Sequence, residues 1–283
     1  LKLVHTRKIY TFLLKQFYLN VTKATEKRNK PREDNMEPEV TTKNFEVRFS
    51  DCDHHSRLKL SNLFLFMEET AIADAEQNGF GLWKMMKAGY TTVITRLKIR
   101  LLHHPVWGEK LSISTWAKDI FMDKVCFKDY SILDAQGHSI AQATSSWLLV
   151  NLKTGKAENL ENSPYPIPLI PGKNALPEMM DILDPQIEPR VVSTEIAKYS
   201  DLDMNNHVNH CRYVDWVMDS LTPVELKTRR IRSIQINYIS QIPLGGKVNI
   251  VRFKNTNHHA YFFGMNADDM TQCHFQARIG FAD

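Results

Sequence analysis

The segment DLDMNNHVN, residues 201–209, places a carboxylate, a carboxamide and an imidazole at alternating positions, Asp203, Asn205 and His207. Those groups can orient a water, take its proton and donate hydrogen bonds to a developing oxyanion. If the segment is extended, alternation turns the three side chains to one side, and the unpaired amides of a following helical turn would add an oxyanion site. The competing reading is structural: Asp203 and Asn205 as turn and cap residues and His207 as an interior histidine, and spacing alone does not displace it. Cys211 lies four residues past His207, but Val208, Val214 and Met218 share its apolar helical period, which assigns it to packing. Cys52, Cys126, Cys211 and Cys273 show no CxxC spacing, and the pairs His54/His55, His103/His104 and His258/His259 lack the i, i+4 or Cys/His spacing of ligands. No metal and no cofactor is expected.

An internal repeat supplies the elements that must position these residues. RFSDCDHHSRLKLSNLFLFME from Arg48 aligns with KYSDLDMNNHVNHCRYVDWVM from Lys198, pairing Asp51 with Asp201 and Asp53 with Asp203. LKIRLLHHPVWGEKLSI from Leu97 aligns with IQINYISQIPLGGKVNI from Ile234, pairing Gly108 with Gly245 and Lys110 with Lys247. Order and near-equal spacing indicate a duplicated domain. The first copy reads DCDHHSRLK at the corresponding loop, with His55 in place of Asn205 and Arg57 in place of His207, so the chemistry is expected in the second copy alone.

After the first anchor each copy takes a helical period, Leu63, Phe66, Met67, Thr70 and Ala71 in one and Val208, Cys211, Val214, Met218 and Leu221 in the other. Strand patterns follow, KLSIST and KVCFKDYSIL with SIAQATSSWLLV in the first copy, KVNIVRF with YFFGM and HFQARIGF in the second. One helix followed by antiparallel strands, twice, gives an α+β class in which a sheet wraps a helix, and two such sheets can pair edge to edge. The expected domains are a tail at 1–40, a first copy at 41–163, a linker at 164–189 and a second copy at 190–283. Seven of the twelve prolines fall in that linker, which suits an extended connector.

The formal charge of +4 does not signal nucleic-acid binding, because it sits in the tail. Residues 1–35 hold nine Lys/Arg against three Asp/Glu, which leaves the remainder at −2. The tail reads as an extension ahead of Met36. No apolar run approaches the roughly 18 residues of a membrane span, and cysteine usage fits a reducing compartment, so the expected location is the cytoplasm.

Three segments, DLDMNNHVNHCRYVDW at 201–216, GFGLWKMMKAGYTTVITRLKIRLLHHPVWGEKLSISTW at 79–116 and ATSSWLLVNLKTGK at 143–156, resemble the acyl-acyl carrier protein thioesterases of plant plastids and their bacterial relatives. The resemblance runs in register from about residue 44 to 283. It implies a tandem double hotdog, each half one central helix wrapped by an antiparallel sheet, with chemistry in the second copy and the acyl chain in the first. It implies hydrolysis of the thioester of fatty acyl-acyl carrier protein, with the carrier protein as partner and a homodimer left open. Asp203, Asn205 and His207 fall on that family's catalytic Asp, Asn and His. The family's Glu in the following strand region is Gln241 here, which can hold a water but not take its proton, so the base role moves to Asp203 or His207. The duplication and the resemblance together place the acyl chain beside the first helix, at Met67, Thr70, Ala71 and Asp74. The run Lys227, Arg229, Arg230, Arg232 is the densest basic cluster outside the tail and suits an acidic carrier. Rival readings are an acyl-CoA thioesterase, a non-catalytic acyl-ligand-binding hotdog protein and a hotdog dehydratase; the last uses a different His/acid pattern.

Overall fold

The computed structural model describes residues 39–178, 180, 183–185, 188–253 and 258–282. The tail reading ahead of Met36 lies outside these residues. The first copy comprises β1 (Thr41–Glu46), α1 (Leu60–Gln77), α2 (Leu82–Lys87), β2 (Tyr90–Leu101), β3 (Lys110–Phe121), β4 (Val125–Leu133), β5 (Ser139–Asn151) and the short β6 (Lys156–Glu158). The second repeats the order as β7 (Pro189–Ile196), α3 (Arg212–Asp219), α4 (Pro223–Thr228), β8 (Ile231–Tyr238), β9 (Lys247–Phe253), β10 (His259–Asn266) and β11 (Cys273–Phe281).

All the strands form one antiparallel sheet in the order β1-β3-β4-β5-β2-β8-β11-β10-β9-β7, with β6 appended to β5. The order reads the same from either edge once copies are matched, as a duplication with a pseudo-two-fold requires. The join is β2 against β8, where Leu97 faces Ile236 and Ile99 faces Ile234. These four side chains are fully or nearly fully buried, and a single hydrophobic core runs through both copies beneath them. The pairing also satisfies backbone groups that either copy alone would leave open at an edge.

The helices differ in length for a local reason. α1 runs 18 residues and buries Leu60, Leu63, Phe64, Met67 and Ala71, the 3–4 spacing of a helix laid on a sheet. α3 stops after eight residues, and Leu221, the last of the expected helical stripe, lies beyond it. Pro223 accounts for this: it forces Thr222 to an extended conformation (φ −70°, ψ 152°) and starts a second short helix, α4, as its first residue. Thr222 and Glu225 close a capping box there, and Glu225 also accepts from Arg252 at 2.9 Å. Burial opposes ionisation of Glu225, but the Arg252 and Thr222 hydrogen bonds outweigh it and hold the carboxyl down at about 2.

The proline-rich connector crosses the outer face of the first copy's sheet. Trp116 Nε1 donates to Lys173 O at 2.8 Å, Lys118 Nζ to Leu176 O at 3.1 Å, and Ile170 N to Ala117 O at 2.8 Å. Beneath it Asp129, fully buried, accepts from the amides of Ala175 (2.7 Å) and Leu176 (3.3 Å) and lies 2.8 Å from Lys118 Nζ. The linker is therefore anchored by a buried charge. Removing that carboxylate strands Lys118 and two amides, so Asp129→Ala is expected to lower unfolding free energy by about 3–5 kcal/mol in urea melts. A loss below about 1 kcal/mol, the scale of a surface ion pair, would show that the linker is held by its apolar contacts alone.

Candidate active site

Asp203, Asn205 and His207 come together in a tight turn rather than an extended segment. Leu202 bridges Val208, Asp203 N donates to His207 O at 2.9 Å, and Asn206 N donates to Asp203 O at 3.1 Å. Asn206 takes φ 61° at the tip, the left-handed region that asparagine tolerates better than most residues. The fold-back, not side-chain alternation, sets the neighbours. Asp203 Oδ1 accepts from Asn205 N at 2.8 Å and, at 3.5 Å, from His207 N; its Oδ2 accepts from Asn205 Nδ2 at 3.4 Å. Asp203 thus performs the turn role and also fixes the Asn205 carboxamide. The Nδ1 of His207 is buried without a hydrogen-bond partner among the described residues. Gln241 is exposed beside this turn, next to Ile242, whose carbonyl accepts from Val208 N at 2.9 Å.

The expected row of free helical amides is reduced to one. α3 begins at Arg212, and before it Asn209 caps the incoming turn: its Oδ1 accepts from Cys211 N at 2.8 Å and its carbonyl from Arg212 N at 2.9 Å. Of the amides from Asn205 to Arg212, that of His210 alone lacks an acceptor among the described residues.

Sequence reasoning missed what lies opposite. Glu68 of α1 reaches across the interface between the copies: Asn209 Nδ2 donates to its Oε2 at 3.4 Å, and its Oε1 is 3.5 Å from His210 Nδ1. The other ring nitrogen of His210 meets Cys211 Sγ at 3.5 Å. Burial holds the His210 ring below its ordinary value, against the pull of Glu68 and Asp203. Burial, reinforced by the charges of Glu68 and Asp215, pushes the Cys211 thiol well above its ordinary range. A nearly inaccessible, protonated thiol is a packing group and a weak donor, not a nucleophile. The donor atoms of Glu68, His210 and Cys211 lie within 4.8 Å of one another, with the His210 ring between the carboxylate and the thiol. The available signal was the wheel position of Glu68, in line with buried Phe64 four residues before and Ala71 three after.

The first copy builds the same turn with different groups. Ser56 takes φ 59° where Asn206 takes 61°, and Asp53 Oδ1 accepts from His55 N and Arg57 N. Arg57 stands where His207 would, 3.3 Å from Asp53. Burial opposes ionisation of Asp53, yet the Arg57 and His55 amides and the Arg57 guanidinium outweigh it and keep the carboxyl below its usual range. A cleft of about 1020 Å³ opens between this turn and α3, with Asp53, Arg57, His104, Arg212 and Asp215 among its walls. The first-copy turn itself carries His55 and Arg57 where the second carries Asn205 and His207.

Met67, Thr70, Ala71 and Asp74 all lie on the buried face of α1. Thr70 Oγ1 donates to Phe66 O at 2.8 Å, and Asp74 is ion-paired with Lys128 and accepts from Thr41 at 2.9 Å. In the basic run, Arg230 and Arg232 donate to Leu102 O, and Arg229 lies over the Phe281 ring at 3.7 Å. Lys227 is exposed.

Residues 38–165 match the family described as acyl-ACP thioesterase N-terminal domain, and residues 188–282 match its C-terminal domain. The chain belongs to the acyl-ACP thioesterase family. The palmitoyl-acyl carrier protein thioesterases of Cuphea hookeriana and Arabidopsis thaliana, both named as chloroplastic, are 24% and 23% identical to it over 212 residues, 70% of this chain and 51% of theirs. The chain thus spans about half the length of these plant relatives. An acyl-ACP thioesterase of Bacteroides thetaiotaomicron superposes with a TM-score of 0.72 at 24% identity, covering 86% of this chain and 98% of that one. The 12:0-ACP thioesterase of Umbellularia californica gives 0.71 at 17% identity, covering 86% and 97%. These likenesses bear out the family and the α+β double-hotdog fold. Among the described residues, no helix is long and apolar enough to cross a membrane.

If the second-copy turn of this acyl-ACP thioesterase family member is the catalytic centre, Asp203→Asn and His207→Ala should each reduce thioester hydrolysis by about 100-fold or more with melting temperature nearly unchanged. Cys211→Ser should retain turnover. Wild-type rates in the first two variants would remove the turn from the chemistry.

Proposed function

We propose that this chain hydrolyses the thioester of fatty acyl-ACP, releasing free fatty acid and ending chain elongation. The observation that carries the reading is the turn holding Asp203, Asn205 and His207 beside His210 N–H, which has no acceptor among the described residues, at the entrance to α3. Water adds to the thioester carbonyl, the carbonyl oxygen takes up the His210 amide, and collapse of the tetrahedral species expels the thiol. Asn205, oriented by Asp203, and the exposed carboxamide of Gln241 hold the water and substrate. Family membership supports a carrier-bound substrate. The expected cytoplasmic location would place the enzyme with a soluble carrier, as the chloroplastic relatives are placed in their organelle.

The acyl chain is assigned to the first copy, along Met67, Thr70, Ala71 and Asp74. Each methylene buried there contributes on the order of 0.8 kcal/mol, so the point at which apolar lining ends fixes chain length. Asp74, paired with Lys128, is where that lining turns charged. Lys227 and Arg230 offer the exposed positive charge for an acidic carrier, with Arg232 beside them.

One assay tests these assignments together: free acid released from acyl-ACP and from acyl-CoA over a series of chain lengths. The carrier-bound substrate should be preferred, Lys227→Glu/Arg230→Glu should weaken that preference and its salt dependence, and Ala71→Phe should shift the profile to shorter chains while the protein stays folded. Equal turnover of acyl-CoA in wild type and charge variant would replace the carrier with coenzyme A. Binding without turnover would make the chain a non-catalytic acyl-ligand protein.

A further inference from the structure

Hydrolysis needs a group that takes the proton of the attacking water, and the second copy does not present one plainly. Gln241 stands where the family resemblance implies a glutamate and cannot accept that proton. Both oxygens of Asp203 are engaged in building the turn, through Asn205 N, Asn205 Nδ2 and His207 N. The Nδ1 of His207 is enclosed, with no acidic partner to fix its tautomer among the described residues.

Glu68 of the first copy meets the requirement. Its side chain is 25% exposed, so water reaches it, and it approaches the second copy at Asn209 and His210. His210 is also the residue whose amide has no acceptor among the described residues, so the carboxylate that faces its ring and the candidate oxyanion donor meet at one residue. The titratable groups around Glu68 are His210 and Cys211 before α3, Tyr238 on β8 and Tyr130 on β4, with Asp203 beyond His210. Among the described residues no lysine or arginine pairs with it.

Resting on the hydrolase reading above, we propose that Glu68 is the general base of this enzyme, contributed by the helix of the copy that otherwise houses the acyl chain. The carboxylate takes a proton from water as the water oxygen bonds to the carbonyl carbon, and the oxyanion forms against the His210 amide. The carbon–sulfur bond then breaks, and the departing thiolate recovers the proton from Glu68, giving free acid and thiol. His210 and Asn209 position the carboxylate, and Gln241 and Asn205 hold the water.

The test is steady-state hydrolysis of acyl-ACP as a function of pH by wild type, Glu68→Gln, Gln241→Glu and the double variant, with Glu69→Gln as an exposed neighbouring control. Glu68→Gln keeps the shape and the Asn209 contact, so it should fold; it should lower kcat by on the order of 100-fold or more, leave KM nearly unchanged and remove the acid limb of the kcat profile. Gln241→Glu in that background should restore turnover and the limb, by returning a carboxylate to the water-holding position. Glu69→Gln should behave as wild type. An active wild type with an indifferent Glu68→Gln overturns the inference alone, as does a slowed variant whose pH profile keeps its shape, the mark of a merely structural loss. Loss of wild-type turnover on chelation, restored by zinc, would make Glu68 a ligand and overturn it equally. A wild type inert toward every acyl thioester defeats the hydrolase reading itself.

Discussion

The pairing of β2 with β8 is the constraint on which the rest depends. It fixes two helix-on-sheet units about a pseudo-two-fold through one continuous core, with Leu97 and Ile99 against Ile236 and Ile234. With that register set, α1 and α3 lie in contact beneath the sheet. Glu68 then falls opposite Asn209 and His210, a contact between residues 141 positions apart in sequence. A one-residue slip would turn Leu97 and Ile99 to the outer face and carry α1 away from the second copy.

On this shared scaffold the copies have diverged at few positions. Both keep the turn, its amide-to-aspartate bonds and a residue of positive φ at the tip, because the backbone geometry demands them. What differs is the group that backbone presents. Arg57 puts a permanent charge 3.3 Å from Asp53, whereas the second copy places the imidazole of His207 at the corresponding position of the turn. The longer α1 gives the first copy an apolar face that extends to the Asp74–Lys128 pair, while Pro223 cuts α3 short. The two copies thus differ in helix length and in the side chains that the turn presents, by a handful of residues.

The repeat, the α+β class and the turn carrying Asp203, Asn205 and His207 were legible in the sequence because each rests on local chemistry: apolar period, turn residues and their order. The direction of the turn was not. Alternating positions suggest an extended strand, and only the hydrogen bonds from Asp203 N to His207 O and from Asn206 N to Asp203 O reveal the fold-back. The early stop of α3 was written in Pro223, yet the buried stripe continuing through Leu221 masked it. Glu68 and Asp129 were out of reach for one shared reason. A charged residue within an apolar stripe or strand acquires meaning only from its partner, and Asn209 and the Ala175 amide lie far away along the chain.

The central claim, that the two copies complete one thioester site between them, is tested most directly by a crystal structure with a non-hydrolysable acyl-pantetheine thioether ketone bound. The account predicts the ketone oxygen within hydrogen-bond distance of His210 N, a water between Glu68 and Gln241, and the acyl chain running along α1 past Ala71. A ligand seated instead in the cleft beside Asp53 and Arg57, or with its carbonyl remote from His210, would contradict it.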